Sequence, residues 1–320
     1  MKRREFLTTS SALMATMFAP NLFAKESFTI YGAPALPSIV IAVVLLQGKI
    51  NRKVSTNLEI WKNPDQLRAG VASGKFKVMM SPSNVAVNLR NQGQNIAMFN
   101  NLTNGINRLM VKDKNIKAPE DLIGKKLIMP FKNDMPDIVF RALFRKLNID
   151  ISKIDIFYAA TPPEAVTHFL TKDYDATFLP EPMASVTILR GKQRGLSIYK
   201  ALDFLDFWVE AFKTKPLIPQ AGIVVDVNYY DKNRALFDIL QSDLEDALKW
   251  IMNNKQSAAN IGSSCLPAPI PAIAQSLESP NLSVTRARDI KDEAMKFFEI
   301  IMEFNPKLIG SKLPDKSFFI

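Results

Sequence analysis

An internal repeat of strands and helices constrains the fold of this chain more than any other feature. A strand and turn, FTIYGAP, lead into the helix LPSIVIAVVL, and LIMPFKN leads into MPDIVFRALF in the same way, so that Pro37 aligns with Pro136, 99 residues later. Residues 74–86 (GKFKVMMSPSNVA) align with residues 172–184 (KDYDATFLPEPMA) at an offset of 98 residues. Proline and serine are common at helix starts, but two matches at nearly equal offsets indicate a repeat.

Each copy of the repeat has the order strand, helix, strand, helix, strand. The first is completed by TNLEIW and a helix from NPDQLRAGVASG, and the second by IDIFYAA and PPEAVTHFLTK. Strands that alternate with helices predict parallel or mixed sheets flanked by helices, the α/β class. Two such sheets of ordinary domain size predict two lobes.

The pattern changes after Pro219, where one more strand, AGIVVDVNYY, is followed mainly by helices. The helical tail most simply returns to the first lobe, so the chain is expected to cross near residues 112–120 and again near 212–220. Two crossings at the base of a cleft make a hinge. The predicted division is therefore lobe one from residues 25–115 plus 218–320, and lobe two from residues 116–217.

The N-terminal residues 1–24 have the form of an export signal, with a basic start, an apolar stretch and a cleavage site near Ala24. Arg3-Arg4-Glu5-Phe6-Leu7 also fits the twin-arginine pattern. Leu22 stands where a small residue is usual, which leaves an uncleaved amphipathic anchor as the alternative. No segment in the rest of the chain reaches the roughly 18 apolar residues that a bilayer-spanning helix needs.

Composition argues against several classes of site. Cys265 is the only cysteine and His168 the only histidine, so no intramolecular disulfide and no Cys/His metal site can form. A nucleophilic cysteine would need a base nearby, and these two residues lie far apart in sequence. The net charge is +10, but the basic residues are scattered through turns, which does not favour nucleic-acid binding. No cofactor is predicted.

The cleft side of each sheet is predicted to hold the ligand. In open parallel sheets, ligands sit beyond the carboxyl ends of the strands, where helix N-termini point free N–H groups. The repeat identifies the residues at this position in both lobes. We expect ligand contacts from Pro34, Leu36, Ser38, Trp61, Ser81, Ser83, Asn84, Asn101, Lys132, Asn133, Asp134, Met135, Thr161 and Glu181.

Several of these residues have a purely structural alternative. Ser38, Ser83 and Thr161 are typical helix caps, and Trp61 is either a core-edge residue or a stacking platform. Glu181, in the segment FLPEP, is the lobe-two counterpart of Ser83. An acid at a helix N-terminus is favourable because of the helix dipole. We predict that Glu181 also bonds a ligand donor or bridges to lobe one on closure, so that Glu181→Gln weakens ligand affinity without unfolding the chain.

Three segments resemble one known family. GAPALPSIVIA, APEDLIGKKLIMPFKNDMPDIVFRALFRKLNID and YDATFLPEPMASV resemble the NMT1/THI5-like substrate-binding proteins, the periplasmic components of ABC importers of the nitrate/sulfonate/taurine type. The second segment is the most specific, because Pro-x-Asp-Leu-x-Gly-Lys-Lys before a strand and a helix is characteristic of the family. The chain departs from the family at Lys77, where an Asp is frequent, and by lacking a clear arginine in the predicted cleft.

The resemblance implies a two-lobed periplasmic binding protein fold of type II and a monomer without enzymatic activity. Such a protein captures a small molecule in the periplasm and delivers it to a membrane permease. The family carries nitrate, sulfonates, bicarbonate, thiamine-pyrimidine precursors and other small heterocycles, and Trp61, Phe131 and Tyr158 favour a ligand with a flat face. The alternatives are an enzyme of the same fold acting on a small heterocycle, of pyrimidine or menaquinone-pathway type, and a ligand-sensing binding protein.

Overall fold

The computed structural model describes residues 27–320, so the predicted export signal lies outside the described residues. The strands are β1 Ser27–Gly32, β2 Ser55–Ile60, β3 Val78–Pro82, β4 Ile96–Met98, β5 Asn100–Thr103, β6 Asn107–Val111, β7 Lys126–Pro130, β8 Asp155–Ala159, β9 Ala176–Pro180, β10 Tyr199–Leu202, β11 Ala221–Asp226 and β12 Leu282–Arg286. The helices are α1 Ser38–Gln47, α2 Pro64–Ala72, α3 Ser83–Asn91, α4 Met135–Lys146, α5 Pro162–Thr171, α6 Met183–Gln193, α7 Phe204–Phe212, α8 Val227–Lys232, α9 Arg234–Asn253, α10 Lys255–Gly262, α11 Ile270–Ser276 and α12 Lys291–Phe304.

Two five-stranded sheets share one topology. The first has the order β2-β1-β3-β11-β4 and the second the order β8-β7-β9-β6-β10. In each sheet the three strands of the repeat are parallel, and the fourth and fifth strands are joined in antiparallel pairs. The two-lobed mixed α/β fold predicted from the repeat is therefore confirmed, and β1, β2 and β3 correspond to β7, β8 and β9.

The lobes exchange strands where the chain crosses. β6 pairs with β9 in the second sheet, with Asn107 opposite Pro180, and β11 pairs with β3 in the first, with Ala221 opposite Pro82. By strand pairing, the first crossing thus precedes Asn107, earlier than the predicted region 112–120. A five-residue strand such as β6 carries no local sign of which sheet it joins, because its pairing partner lies far along the chain.

The strand β11 is shorter than the predicted AGIVVDVNYY. It ends at Asp226, whose side chain accepts a hydrogen bond from Tyr229 N and starts helix α8. A carboxylate in this position satisfies a free N–H of the first helical turn, so the local cap ends the strand.

The C-terminal helices contact both lobes, although the sequence predicted a return to lobe one. Helices α9 and α10 pack on α1 of lobe one, whereas α11 packs on α6 and α12 on α4 of lobe two. Trp208 in α7 is buried, and the centre of its ring lies 5.7 Å from the centre of the Phe297 ring in α12. Trp208 therefore serves in packing. No helix within residues 27–320 is both long enough and apolar enough to cross a membrane.

A proline stands at the start of every helix that follows a parallel strand. It immediately precedes α1, α3 and α6, and it occupies one of the first two positions of α2, α4 and α5. Proline is tolerated there because the first N–H groups of a helix have no partner within the helix, and its fixed φ angle suits the first turn. Since these helix starts face the cleft, prolines form much of the cleft wall.

Candidate functional site

A cavity of about 70 Å³ lies between the lobes, beyond the carboxyl ends of the parallel strands. Its wall is mostly apolar, with only a few polar side chains, as is usual for sites that take small organic molecules. The lining residues are Ala33, Pro34, Ala35, Trp61, Pro64, Met80, Pro82, Thr103, Ile106, Asn107, Phe131, Asp134, Met135, Pro136, Pro162, Pro180, Gln220 and Ala221. Of the predicted site residues, Pro34, Trp61, Asp134 and Met135 line this cavity.

Trp61 forms part of the lobe-one wall and is almost fully buried. Its indole Nε1 donates a hydrogen bond of 2.9 Å to the carbonyl of Met80, and its backbone N donates to Gly32 O at 3.0 Å. Both bonds hold the ring at the ends of β1 and β3. Because the only polar atom of the indole is satisfied by the protein, the ring can offer a ligand its aromatic face.

The turn Phe131–Asp134 enters α4 on the lobe-two side of the cavity. Phe131 and Asn133 have φ angles of 62° and 61°, which lie in the left-handed region. This region is energetically unfavourable for a residue with a bulky side chain such as Phe. Asp134 N donates to Phe131 O, and Asn133 N donates to the side chain of Asp137 at 2.9 Å. These bonds hold the strained turn in the conformation that puts Phe131 in the wall.

Arg68 and Asp134 form an ion pair between the lobes at the mouth of the cleft. The Nη2–Oδ1 distance is 2.7 Å, and the Asp134 side chain is only 10% exposed. Burial raises the pKa of the Asp134 carboxyl, and the charge of Arg68 acts in the opposite direction. Arg68 also contacts the exposed Asp65, at 3.1 Å.

Lys132 and Asn133 lie outside this cavity, in a groove of about 470 Å³ that also contacts Arg68 and Tyr158. The ammonium of Lys132 is 5.4 Å from the centre of the Tyr158 ring, a distance at which cation–π attraction is effective. Both predicted contacts thus belong to the outer entrance of the cleft.

The buried Asp137 anchors a small polar cluster behind the entrance. Its Oδ1 accepts hydrogen bonds from Arg141 Nε at 2.6 Å and from the Tyr158 hydroxyl at 2.8 Å. Burial raises the pKa of Tyr158 to about 12, so the phenol stays protonated at neutral pH. Arg141 is therefore engaged within its own lobe.

Glu181 connects the lobes through its backbone. Its carbonyl accepts from Leu36 N at 2.9 Å, and its N–H donates to Ile106 O at 3.0 Å. The carboxylate accepts from Ser185 N in the first turn of α6, at 3.1 Å, and burial raises its pKa. The predicted bridge to lobe one is thus made by main-chain atoms, while the side chain caps its own helix, behind the cavity wall.

The predicted hydroxyl groups bond to the protein's own backbone. Ser38 Oγ donates to Ala33 O at 2.6 Å, Ser83 Oγ to Pro219 O at 2.7 Å, and Ser81 Oγ to Pro82 O at 2.9 Å. Thr161 Oγ1 accepts from Glu164 N at the start of α5. Thr161 is therefore the helix cap that the structural alternative anticipated. Ser38 and Ser83 do not cap α1 and α3, because their hydroxyls donate to carbonyls instead of accepting from N–H groups of the first helical turn.

Two of the three predicted asparagines, Asn84 and Asn101, are buried. Asn84 is 2% and Asn101 0% exposed, and Oδ1 of each has no hydrogen-bond partner among residues 27–320. Asn101 Nδ2 donates to Asn104 Oδ1 at 3.1 Å. Neither side chain lines the cavity between the lobes.

Sequence reasoning missed three polar lining residues, Thr103, Asn107 and Gln220. All three flank the crossings, of which the strand pattern placed the first too late, near residues 112–120, and the second near residues 212–220, beside Gln220. Gln220 Oε1 accepts from Ile106 N at 3.0 Å, and Thr103 Oγ1 accepts from Gly105 N at 3.2 Å. Asn107 is 4% exposed, and its Oδ1 has no partner within the described part of the chain.

The geometry gives no support to nucleophilic or metal chemistry at the cleft. Burial raises the pKa of Cys265 to about 11, which keeps the thiol protonated and unreactive. Cys265 follows α10, whereas His168 lies in α5 of the other lobe. Within residues 27–320, no three or more His, Cys, Asp or Glu side chains are grouped so that they could hold a metal ion.

Solved structures share the fold at low sequence identity. An ABC transporter protein from Parabacteroides distasonis is 19% identical, with a TM-score of 0.74 over 92% of this chain and 99% of that chain. The periplasmic aliphatic sulphonate binding protein SsuA from Escherichia coli is 14% identical, with a TM-score of 0.74 over 92% of each chain. The periplasmic nitrate-binding protein NrtA from Synechocystis PCC 6803 is 13% identical, with a TM-score of 0.61 over 79% of this chain and 70% of that chain.

Sequence comparison gives the family directly. No curated protein sequence matches the chain significantly. The NMT1/THI5-like family pattern, in contrast, matches residues 56–258, which span both crossings and the whole of lobe two. This match covers more than half of the chain, and the type II periplasmic binding fold agrees with it. The chain therefore belongs to the NMT1/THI5-like family.

Proposed function

We propose that this protein is a solute-binding protein, which captures a small molecule between its lobes and delivers it to the permease of an ABC importer. The observation that carries the proposal is the mostly apolar cavity that residues of both lobes line. The lobes are joined by two crossings, and such connections act as hinges. The similar solved structures named as binding proteins for sulphonate and nitrate support the same role.

Ligand capture would proceed by closure of the lobes. Two contacts cross the cleft: the backbone bond from Leu36 N to Glu181 O and the ion pair of Arg68 with Asp134. Each of these contacts would stabilise only the closed form. A ligand that contacts both walls would stabilise the closed form further, and so shift the population towards closure. The closed form would then be the one that the permease recognises.

We further propose that the chain acts in the periplasm as a monomer without catalytic activity, after export through the signal in residues 1–24. The protonated Cys265 and the placement of the only cysteine after α10 and the only histidine in α5 of lobe two support the non-enzymatic role. Export is tested by the change of Arg3 and Arg4 to lysine in the full chain. If the signal is of the twin-arginine type, we expect this variant to remain in the cytoplasm. The control Lys2→Gln should be exported normally.

The binding role is tested with the mature chain after unfolding and refolding to remove bound molecules. We expect native mass spectrometry to detect a monomer that takes up one small molecule from a cell extract. Small-angle scattering should give a smaller radius of gyration once the protein is saturated. If no small molecule binds, the proposed function is wrong; if one binds without compaction, the closure mechanism is wrong.

A further inference from the structure

Helix α12 contacts lobe two outside the cleft, and we propose that this contact sets the ratio of closed to open molecules before any ligand binds. The inference rests on the proposed function and concerns the regulation of its closure step. Helix α12 is fixed to lobe one at both ends, while one of its faces lies against lobe two. The contact, here called the α12 interface, joins Arg145, Lys213 and Lys215 of lobe two to Glu293, Lys296 and Phe304 of α12.

Lobe one holds the start of α12 through strand β12. This strand pairs with β5, and Ala287, the residue that follows it, donates its N–H to Phe99 O at 3.1 Å. Phe99 in turn donates its N–H to Ile223 O of β11, in the first sheet, at 2.8 Å. Residues 288–290 alone separate Ala287 from α12. The start of the helix therefore cannot move far from lobe one.

The tail that follows α12, residues 305–320, returns to lobe one. The side-chain amides of Asn88 and Asn91 in α3 donate to three carbonyls of the tail, at 2.6–2.9 Å. Ile320 N donates to Met98 O of β4 at 3.1 Å. The ring of Phe298 in α12 packs on two buried aromatic rings of the tail, at 6.4 Å between ring centres. Both ends of α12 are thus held by lobe one.

The polar contacts of the α12 interface are made largely by side chains that water can reach. Glu293 forms an ion pair with Lys215, and the exposed fractions of these side chains are 21% and 75%. Lys296 donates to the carbonyl of the residue that ends α7, at 3.0 Å. At the other end of the helix, Arg145 of α4 donates to the last carbonyl of α12, at 3.1 Å. Such contacts can break and form again without exposing a core.

Two gaps show that α12 is loosely packed on lobe two. One gap, of about 240 Å³, lies between the segment that contains Leu217 and the first part of α12. The other, of about 320 Å³, lies between the end of α4 and the last part of α12, and Ile300 lines both gaps. A loosely packed face can slide at lower cost than the close-packed aromatic rings of the tail. Opening of the lobes is therefore expected to shear α12 over lobe two while the tail stays on lobe one.

It follows that the contacts of the α12 interface belong to the closed form. They act together with the ion pair of Arg68 and Asp134 at the mouth of the cleft, but they lie away from the cavity and need no ligand. A contact that stabilises the closed form reduces the free energy that a ligand must supply for closure, and so raises the affinity for that ligand.

The test uses the protein without ligand. Asn57 in β2 and Thr167 in α5 are exposed residues of opposite lobes. Both are changed to cysteine and labelled with nitroxide groups, in a chain that also carries Cys265→Ser. Double electron–electron resonance then measures the distribution of distances between the two labels. In the unchanged interface we expect two populations, closed and open, whose ratio is the quantity compared.

Lys215→Glu places a second carboxylate beside Glu293 and should lower the closed-to-open ratio roughly two- to five-fold, the range for a solvent-exposed ion pair. Adding Glu293→Lys exchanges the two charges and should restore most of the ratio. Arg145→Gln should lower the ratio as well, since it weakens the bond to the end of α12. The control Lys126→Glu breaks an ion pair with Asp173 within lobe two, and should leave the ratio unchanged.

The inference is wrong if Lys215→Glu and Arg145→Gln keep the ratio of the unchanged interface, or if Lys126→Glu lowers it equally. One and the same single distance in every variant would also overturn it, because no equilibrium would then exist for α12 to set. Uptake of a small molecule from a cell extract is measured separately by native mass spectrometry. If the ratio responds as expected but nothing is taken up, the proposed function fails while the role of the α12 interface stands.

Discussion

Arg68 and Asp134 approach to 2.7 Å across the mouth of the cleft, and their ion pair links helix α2 of lobe one to the start of α4 in lobe two. Arg68→Gln should leave the buried carboxylate without its counter-charge in the closed form. Because Arg68 is 38% exposed, water screens the loss, which we expect to be about 1 kcal/mol, or roughly five-fold in ligand affinity. Calorimetry measures the affinity.

Asp65→Asn is the matched control, since it removes the other partner of Arg68. Asp65 is 92% exposed and lies one helical turn away in the same lobe. This change should leave ligand affinity and the closed conformation as they are. Equal affinities for Arg68→Gln and the unchanged protein would mean that the ion pair plays no part in closure.

Trp61 should report ligand binding through its fluorescence. The protein has three tryptophans, and Trp61 alone among them lines the cavity. Trp61→Phe should abolish most of the ligand-induced change in emission and cost about 1 kcal/mol of folding stability for the lost bond to Met80 O. Trp250→Phe, in α9, is the control and should keep the full signal. A signal that persists without Trp61 would show that the ligand contacts another part of the molecule.

The duplicated architecture could be predicted from the sequence because it depends on local patterns. Strand, turn, proline and helix recur at fixed offsets, and the sheets that they form have the same order. The same patterns led to Trp61 and Asp134 as cavity residues. Strand β6 could not be assigned in this way, because its place depends on a non-local pairing of Asn107 with Pro180.

The roles of the polar residues were harder to predict than their positions. Ser38 and Ser83 lie at helix starts beside the cleft, as expected, but their hydroxyls donate to nearby carbonyls. Which acceptor a serine hydroxyl bonds depends on its rotamer and on the surrounding carbonyls, and the sequence does not carry that information. Asn107 and Gln220 were missed because they lie at the crossings rather than in the repeat.

Gly222 allows the close approach of two strands next to the second crossing. A Cβ atom at this position would lie 1.8 Å from the backbone oxygen of Asn100, which cannot move as a flexible side chain can. Gly222→Ala should therefore destabilise the fold by about 3 kcal/mol, in the upper range for overpacking. Urea unfolding measures this.

Gly93→Ala serves as the control, because a Cβ there meets nothing within 4 Å and only the positive φ of 97° is strained. It should cost about 1 kcal/mol. A Gly222→Ala protein as stable as the Gly93→Ala protein would mean that β11 can shift away from Asn100.

Glu181 should make folding stability depend on pH. Burial raises its pKa, while Ser185, Arg108 and Lys200 act in the opposite direction. The folded chain therefore binds a proton at a pH where the unfolded chain, with its ordinary pKa of 4.5, has lost it. The stability from protonated Glu181 is fully present below pH 4.5 and is lost as the pH rises through the raised pKa. The free energy of unfolding should fall across this window.

Glu181→Gln removes this dependence, since an amide does not ionise but its oxygen can still accept from Ser185 N. We expect the variant to be at least as stable as the unchanged protein at pH 7 and to have a flatter profile above pH 4.5, measured by urea unfolding. Glu164→Gln, at the start of α5, leaves Glu181 in place and should keep the original slope. Ligand affinity shows whether the Glu181 side chain only caps α6 or also contacts the ligand. Because its carboxylate caps α6, we expect unchanged affinity in Glu181→Gln, whereas a weakened affinity would support the ligand contact predicted from the sequence.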